Sequence, residues 1–297
     1  MSSTRSSRAV IYALGAVLCW STVATAFKIA LASLSVYEML LIACPTSMVI
    51  FALSVTFERK WGLLAAMSRR EILLCALTGL VNPLAYYLVL FAAYDYLPAH
   101  VAQPINYAWP ILLVILLALI HRKPVPVLKY LGMAVSLAGV AIIALGKGDD
   151  GVAVSTYGLL LAAASALLWA FYWVINDSLK SRLDSSLMLF LGFAFGTLYL
   201  LIGALFIPIH VPSADGLLSG MYIGAMEMGI PFILFSLALR TTDNTALVNQ
   251  LCYLAPFLSL FIISMVLHEA VTAMTYLGLA LIVAGLVFNQ YFVKQNN

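Results

Sequence analysis

Residues 107–139, YAWPILLVILLALIHRKPVPVLKYLGMAVSLAG, and residues 253–285, YLAPFLSLFIISMVLHEAVTAMTYLGLALIVAG, decide how this chain is built. At one gap-free offset of 146 residues, Tyr107 meets Tyr253, Pro110 meets Pro256 and Leu112 meets Leu258. Tyr130-Leu131-Gly132 meets Tyr276-Leu277-Gly278, Ala134 meets Ala280, and Ala138-Gly139 meets Ala284-Gly285. Tyrosine and proline are not filler in apolar segments, so chance likeness between hydrophobic runs is the weaker reading. Nearer the N-terminus, Trp20 meets Trp169 at an offset of 149, so a three-residue insertion separates the two blocks. The chain reads as two copies of one unit, 9–146 and 154–293, forming one integrated transmembrane domain.

Outward from the repeat, composition says where these units live. Of the 297 residues, 64% are hydrophobic and 9% charged, and mean hydropathy is +1.06. Soluble domains carry about 25% charged residues, so a fold covered by water on all sides is excluded. Apolar runs of about 20 residues, each enough for one bilayer crossing, fall at 9–31, 36–56, 72–94, 99–120, 128–146, 154–176, 186–207, 217–239, 245–267 and 272–293. The alternating strands and aromatic girdles of a membrane barrel are missing. The expected fold is an all-α polytopic membrane protein, ten transmembrane helices in two five-helix repeats. Five is odd, so the second copy enters the bilayer from the opposite side and the repeats are inverted. Inverted repeats mark secondary transporters, whose substrate site lies near the midplane between the halves.

Thirteen of the fifteen Lys and Arg residues lie in connections of one parity or at the termini: Arg5, Arg8, Arg59, Lys60, Arg69, Arg70, Arg122, Lys123, Lys129, Lys180, Arg182, Arg240 and Lys294. Only Lys28 and Lys147 lie on the other side. Positive residues stay in the cytoplasm, which puts both termini there. The first segment has a rival reading as a signal peptide, with Arg5, Arg8 and a small-residue site at Ala24-Thr25-Ala26; its place in the repeat argues against that.

Polar residues inside the apolar segments are the candidate site. The fourth and ninth segments carry matched sets, Gln103, Tyr107, Pro110 and Asn249, Tyr253, Pro256, at i, i+4, i+7 along one helix face. A buried amide in hydrocarbon is costly, so both faces should point inward, to line a path or to bond neighbouring helices. Pro110 and Pro256 fall mid-segment and are read as a matched pair of hinges, with a static packing kink as the alternative. Trp169, Tyr172, Trp173 and Asn176 follow helical spacing in the sixth segment, Asn82 and Tyr86 in the third, and Trp109 stands beside the first set. Such rings can stack on an aromatic ligand or face an ammonium; singly, each can also be mere packing. Tyr94, Tyr96, Tyr199, Tyr222 and Tyr291 lie near segment ends and read as an interfacial belt.

Glu227 is the carboxylate deepest in a segment. It lies ten residues past Leu217, about 15 Å along the helix, near the middle of a core about 30 Å thick. A charge there costs at least about 2.5 kcal/mol, so a neutral acid, a proton-coupling group and a partner for a substrate ammonium are the three options. Gly220, Gly224, Glu227 and Pro231 are expected on one face. Lys28 is expected to snorkel to the interface or to attract a carboxylate. The turn from Gly146 to Gly151, G-K-G-D-D-G, reads as a solvated hairpin. Gly192-x-x-x-Gly196 and Gly216-x-x-x-Gly220-x-x-x-Gly224 permit close helix contact, within the bundle or in a weak dimer; monomer or weak dimer is the expectation.

The net charge of +3 has no basic tail suited to nucleic acid. Cys19, Cys44, Cys75 and Cys252 stand singly, and His100, His121, His210 and His268 lack metal-ligand spacing. No cofactor, metal site or catalytic motif is expected, so the chain is not read as an enzyme, and its partners are a small-molecule substrate and the lipid bilayer.

Ten segments, the five-plus-five repeat, a tryptophan-bearing first helix in each half and the YLGxAxxxAG-like last helix resemble the drug/metabolite transporter superfamily, in particular its EamA-type exporters. Tyr86-Tyr87 and the Gln103–Pro110 segment look most like the YddG-type aromatic amino-acid exporters. That resemblance implies a bacterial inner-membrane carrier exporting aromatic and other neutral amino acids by alternating access. Export of other metabolites, drugs or organic cations, with or without proton coupling, is the alternative.

Overall fold

The computed structural model describes residues 2–122, 127–145, 154–179, 183–242 and 245–293. Ten helical spans are long and apolar enough to cross a bilayer: α1 Ser7–Leu31, α2 Val36–Phe57, α3 Arg69–Tyr96, α4 Ala99–Ile120, α5 Val127–Ala144, α6 Thr156–Asn176, α7 Ser185–Gly203, α8 Ala214–Thr241, α9 Leu247–Val266 and α10 Ala273–Gln290. Among the described residues there is no strand. The Gly146–Gly151 turn and Lys123, Lys180, Arg182 and Lys294 lie outside the described residues.

Local chemistry sets the ends. Ser35 and Ser68 each cap a helix and pair with Glu38 and Glu71 three residues on in a reciprocal capping box. Asp184 starts α7 by accepting from the Ser186 N–H at 2.9 Å, and Ser213 starts α8 through the Gly216 N–H. At this end of α7, Lys60 Nζ sits 2.7 Å from Asp184 Oδ2 and also pairs with Glu58. Burial would raise the Asp184 pKa, but Lys60 and the two backbone N–H groups outweigh it and hold the carboxyl below its usual range.

The two copies are woven together rather than laid side by side. α1 packs against the second part of α8, and α6 against the second part of α3; α2 packs against α7, and α5 against α10. The α5–α10 pair shows the symmetry best. A Cβ on Gly132 would strike the Gly285 carbonyl, and one on Gly139 would strike the Gly278 carbonyl. Gly278 and Gly285 are the repeat equivalents of Gly132 and Gly139. Equivalent residues thus meet crosswise on antiparallel helices, the contact that a two-fold relation between inverted copies produces. Ser136 Oγ donates to the Ile282 carbonyl at 2.9 Å across the same seam. In α1, the stretch with the rival signal-peptide reading packs in the core, as its place in the repeat implies: Ala24, Phe27 and Ala30 are buried.

Candidate functional site

Four spans break near mid-depth, and those breaks build the site. In α3, proline lacks an N–H and disfavours helix at the residue before it. Asn82 accordingly has extended φ −143°, ψ 119°, and its bond to Pro83 is cis. In α8, residues Gly224–Gly229 form a wide π-turn ahead of Pro231. Its loosened carbonyls are re-satisfied: Ser47 Oγ donates to Gly224 O at 2.7 Å, and Trp20 Nε1 to Glu227 O at 3.3 Å. α4 breaks at Tyr107–Ala108 and α9 at Tyr253. Pro110 and Pro256 therefore fall in the first turn of the segments Trp109–His121 and Leu254–Val266, where a missing N–H costs nothing. The expectation of mid-helix kinks is corrected: these prolines start helices.

Between the halves lies a cavity of about 470 Å³, within the span of small-molecule sites, about 300–1,000 Å³. Nine of the ten expected binding residues line it: Tyr86, Gln103, Tyr107, Trp109, Trp169, Trp173, Glu227, Asn249 and Tyr253. Pro110 lines it as well. Asn82 does not. The α3 break destroys the i, i+4 relation to Tyr86, and Asn82 is buried outside the lining. Pro256 is likewise buried outside the lining.

The walls are aromatic from both copies. Trp109 stacks with Trp173, centroids 6.0 Å apart and planes 13° apart, and Tyr86 lies 4.6 Å from Trp169. Trp20 meets Phe235 at 5.8 Å, and Trp169 meets Phe232 edge-on at 6.0 Å. Between them runs a buried polar chain: Tyr86 Oη donates to Asn106 Oδ1 at 3.2 Å, and Asn106 Nδ2 to Ser165 Oγ at 2.8 Å. Gln103, only 3% exposed, lines the cavity and keeps its buried side-chain oxygen without a hydrogen-bond partner.

Glu227 is the single carboxylate in the lining, and no Lys, Arg or His lines the cavity among the described residues. Tyr87, fully buried behind it, donates to Glu227 Oε1 at 3.3 Å. The expected grouping of Glu227 with the glycines is corrected. Gly220 and Gly224 press against Ile42, Ala43 and Thr46 of α2, while the π-turn shifts the helical phase and swings Glu227 to the cavity side. Gly192 and Gly196 likewise pack inside the bundle, against Thr78 and Pro83 of α3. Tyr94, assigned above to the interfacial belt, is 2% exposed and lines the cavity. Phe27, Phe232, Phe235, Asn106 and Gln290 also line it. None stands out in sequence, because a lone Phe or Asn in an apolar run looks the same on either face of a helix. Trp20, matched to Trp169 in the repeat, carried the one usable signal.

Toward the ends of α8, α9 and α10 the cavity reaches half-buried Leu239, Asn249 and Gln290. At its other end it is roofed by buried Phe27 and Tyr94, ring centroids 5.1 Å apart. Lys28 neither snorkels nor meets a carboxylate: its Nζ donates to the backbone carbonyls of Tyr94 at 2.8 Å and Leu97 at 3.3 Å. Among the described residues, no cluster of three or more His, Cys, Asp or Glu could hold a metal ion.

This architecture has relatives. A solved crystal structure of another protein superposes with a TM-score of 0.68 over 97% of this chain and 98% of its own, at 22% identity, which shows the fold. The uncharacterized transporter YvbV of Bacillus subtilis (strain 168) is 29% identical over 213 residues, 70% of this chain and 68% of its own. The sequence model of the EamA-like transporter family matches twice, over residues 7–145 and 156–290. With ten membrane-crossing helices around one internal cavity and a family match over each copy, the chain belongs to the EamA-like transporter family.

Proposed function

We propose that this protein exports small amines with an apolar or aromatic body, neutral aromatic amino acids foremost, by exposing the central cavity to one membrane side at a time. The observation that carries this reading is one carboxylate, Glu227, set in a cavity walled by Trp20, Tyr86, Tyr107, Trp109, Trp169, Trp173 and Tyr253. An ammonium gains from the carboxylate and from facing ring π-clouds, while the substrate ring gains apolar and stacking contact. Gln103 adds an amide to the lining. The carboxylate of an amino acid would meet the helix start at Trp109, which lines the cavity and whose first N–H groups have no side-chain cap. Lining by Asn249 and Tyr253 from one copy and Gln103 and Tyr107 from the other gives the substrate contacts to both halves, as alternating access requires. Residues 9–146 and 154–293 are the two rocking units in this reading, Pro110 and Pro256 its bending points, and the cytoplasmic membrane, with both termini inside, its location.

A second reading is a carrier of organic cations lacking a carboxylate. It is favoured by the lack of any Lys, Arg or His among the described lining residues. Thermal unfolding of the purified protein separates the two, since a ligand bound only by the folded state raises the midpoint. Phenylalanine and phenethylamine should both raise it, and hydrocinnamate, which has no amine, should not. Stabilisation by phenethylamine alone selects the second reading. Stabilisation by hydrocinnamate alone, or by none of the three, overturns both.

A further inference from the structure

The connection between α3 and α4 closes one end of the cavity, and it is built with both helix ends unsatisfied by their own side chains. α4 starts after Pro98, which offers no side-chain cap. The last turn of α3 leaves its final carbonyls over the cavity roof. A helix start carries partial positive charge and a helix end partial negative charge, each seeking an opposite partner. Both partners come from elsewhere in the chain. Glu269, in the connection between α9 and α10, accepts from the Ala99 N–H at 3.1 Å and the His100 N–H at 3.3 Å. Its Oε2 also lies 2.7 Å from His100 Nδ1. Lys28, near the end of α1, supplies its ammonium to the Tyr94 and Leu97 carbonyls. In the turn between, Leu97, Ala99 and His100 are buried.

We propose that Glu269 and Lys28 form a two-armed latch that holds this end of the carrier shut, and that releasing the Glu269 arm is a required step in opening it. The arms come from different copies, Lys28 from the first and Glu269 from the second. If the α3–α4 turn moves with its own copy, it keeps Lys28 and parts from Glu269. Separation then leaves two backbone N–H groups and a carboxylate to be rehydrated, which sets a barrier to opening at this place. Phe27, next to Lys28, and Tyr94, whose carbonyl Lys28 holds, move with the first copy and uncover the cavity. Both latch residues are positioning residues that never touch substrate, so the proposal stands apart from the identity of the substrate.

The test reads accessibility. A Leu90→Cys reporter in the cavity, with Cys19→Ser and Cys252→Ser to silence the partly exposed native thiols, is labelled by a membrane-impermeant thiol reagent in intact cells and in inverted vesicles. Loss of a charge-assisted buried contact predicts a roughly tenfold rise in Glu269→Gln in the ratio of labelling from the latch side to labelling from the other. Lys28→Met, whose carbonyl partners travel with it, should shift the ratio far less. Glu71→Gln serves as the control: its capping-box bonds with Ser68 lie within one copy, and it should leave the ratio unchanged. If either latch variant fails to fold, His100→Cys with Glu269→Cys joined by a short bifunctional thiol reagent should abolish latch-side labelling, restored when the bridge is cleaved. An unchanged ratio in folded Glu269→Gln, or latch-side labelling through the bridged protein, overturns the latch. Either result leaves the ligand-binding test of the cavity independent.

Discussion

At the scale of single residues, the account rests on one acid among rings. Glu227 keeps one hydrogen bond from Tyr87 and otherwise faces the cavity. If an ammonium binds there, Glu227→Gln should lower uptake of a labelled amine substrate by roughly thirtyfold or more, the scale of removing one partner from a buried charge pair. It should also flatten the dependence of flux on an imposed pH gradient if the same carboxyl exchanges a proton. Flux and pH dependence both intact in Glu227→Gln would remove it from the transport cycle. A second prediction concerns stability. Asp184 lies outside the spans, with its folded-state pKa held below the usual carboxylate value, chiefly by Lys60 against the opposing effect of burial. Its contribution is therefore fully present above about pH 4, the unfolded value, and is lost as pH falls through the lowered one. Thermal midpoints in detergent should be flat from neutral pH down to about 5 and then drop. Asp184→Asn should be destabilised at neutral pH and show a shallower acid drop.

Elements show why some of this was legible in sequence and some was not. The ten spans follow from hydropathy because a bilayer crossing fixes both length and composition. Gln103 and Tyr107 were found by helical spacing because α4 is regular down to Asn106. Asn82 was misplaced because the same spacing was carried across Pro83, where the helix does not continue. Glu227 was assigned to the glycine face for a related reason: one extra residue in a π-turn rotates everything beyond it, and no residue type announces that turn. The hinge proposal changes in form, since Pro110 and Pro256 sit beside breaks rather than making kinks. Pro110→Ala with Pro256→Ala would let the helices run through Tyr107 and Tyr253, and should slow exchange while ligand binding stays as in the parent. Transport at the parent rate would show that the breaks are static. At the α5–α10 seam, Gly139→Val puts a branched side chain against the Gly278 carbonyl. It should cost about 1–3 kcal/mol, as overpacking does, read as a lower unfolding midpoint. The exposed Leu137→Val on the same helix should cost far less.

For the whole molecule, the repeat was visible because Tyr, Trp and Pro recur at fixed offsets, and the crosswise contacts of Gly132 with Gly285 and Gly139 with Gly278 are its physical counterpart. Identical units in opposite orientation have two near-equivalent ways to pack, and each leaves one end of the central cavity closed. In this structure the closed end lies under the α3–α4 turn. The other end, at half-buried Leu239, Asn249 and Gln290, was not readable from composition, because it takes one residue from each of three helices far apart in sequence.

The central claim is that one cavity between two inverted copies carries substrate across by turns. Counterflow in proteoliposomes tests it most directly. Vesicles loaded with unlabelled phenylalanine and placed in a trace of labelled phenylalanine should accumulate label transiently above the outside level, and Trp169→Ala should abolish the overshoot. Label that enters no faster into loaded than into empty vesicles, with protein folded and inserted, would contradict the account.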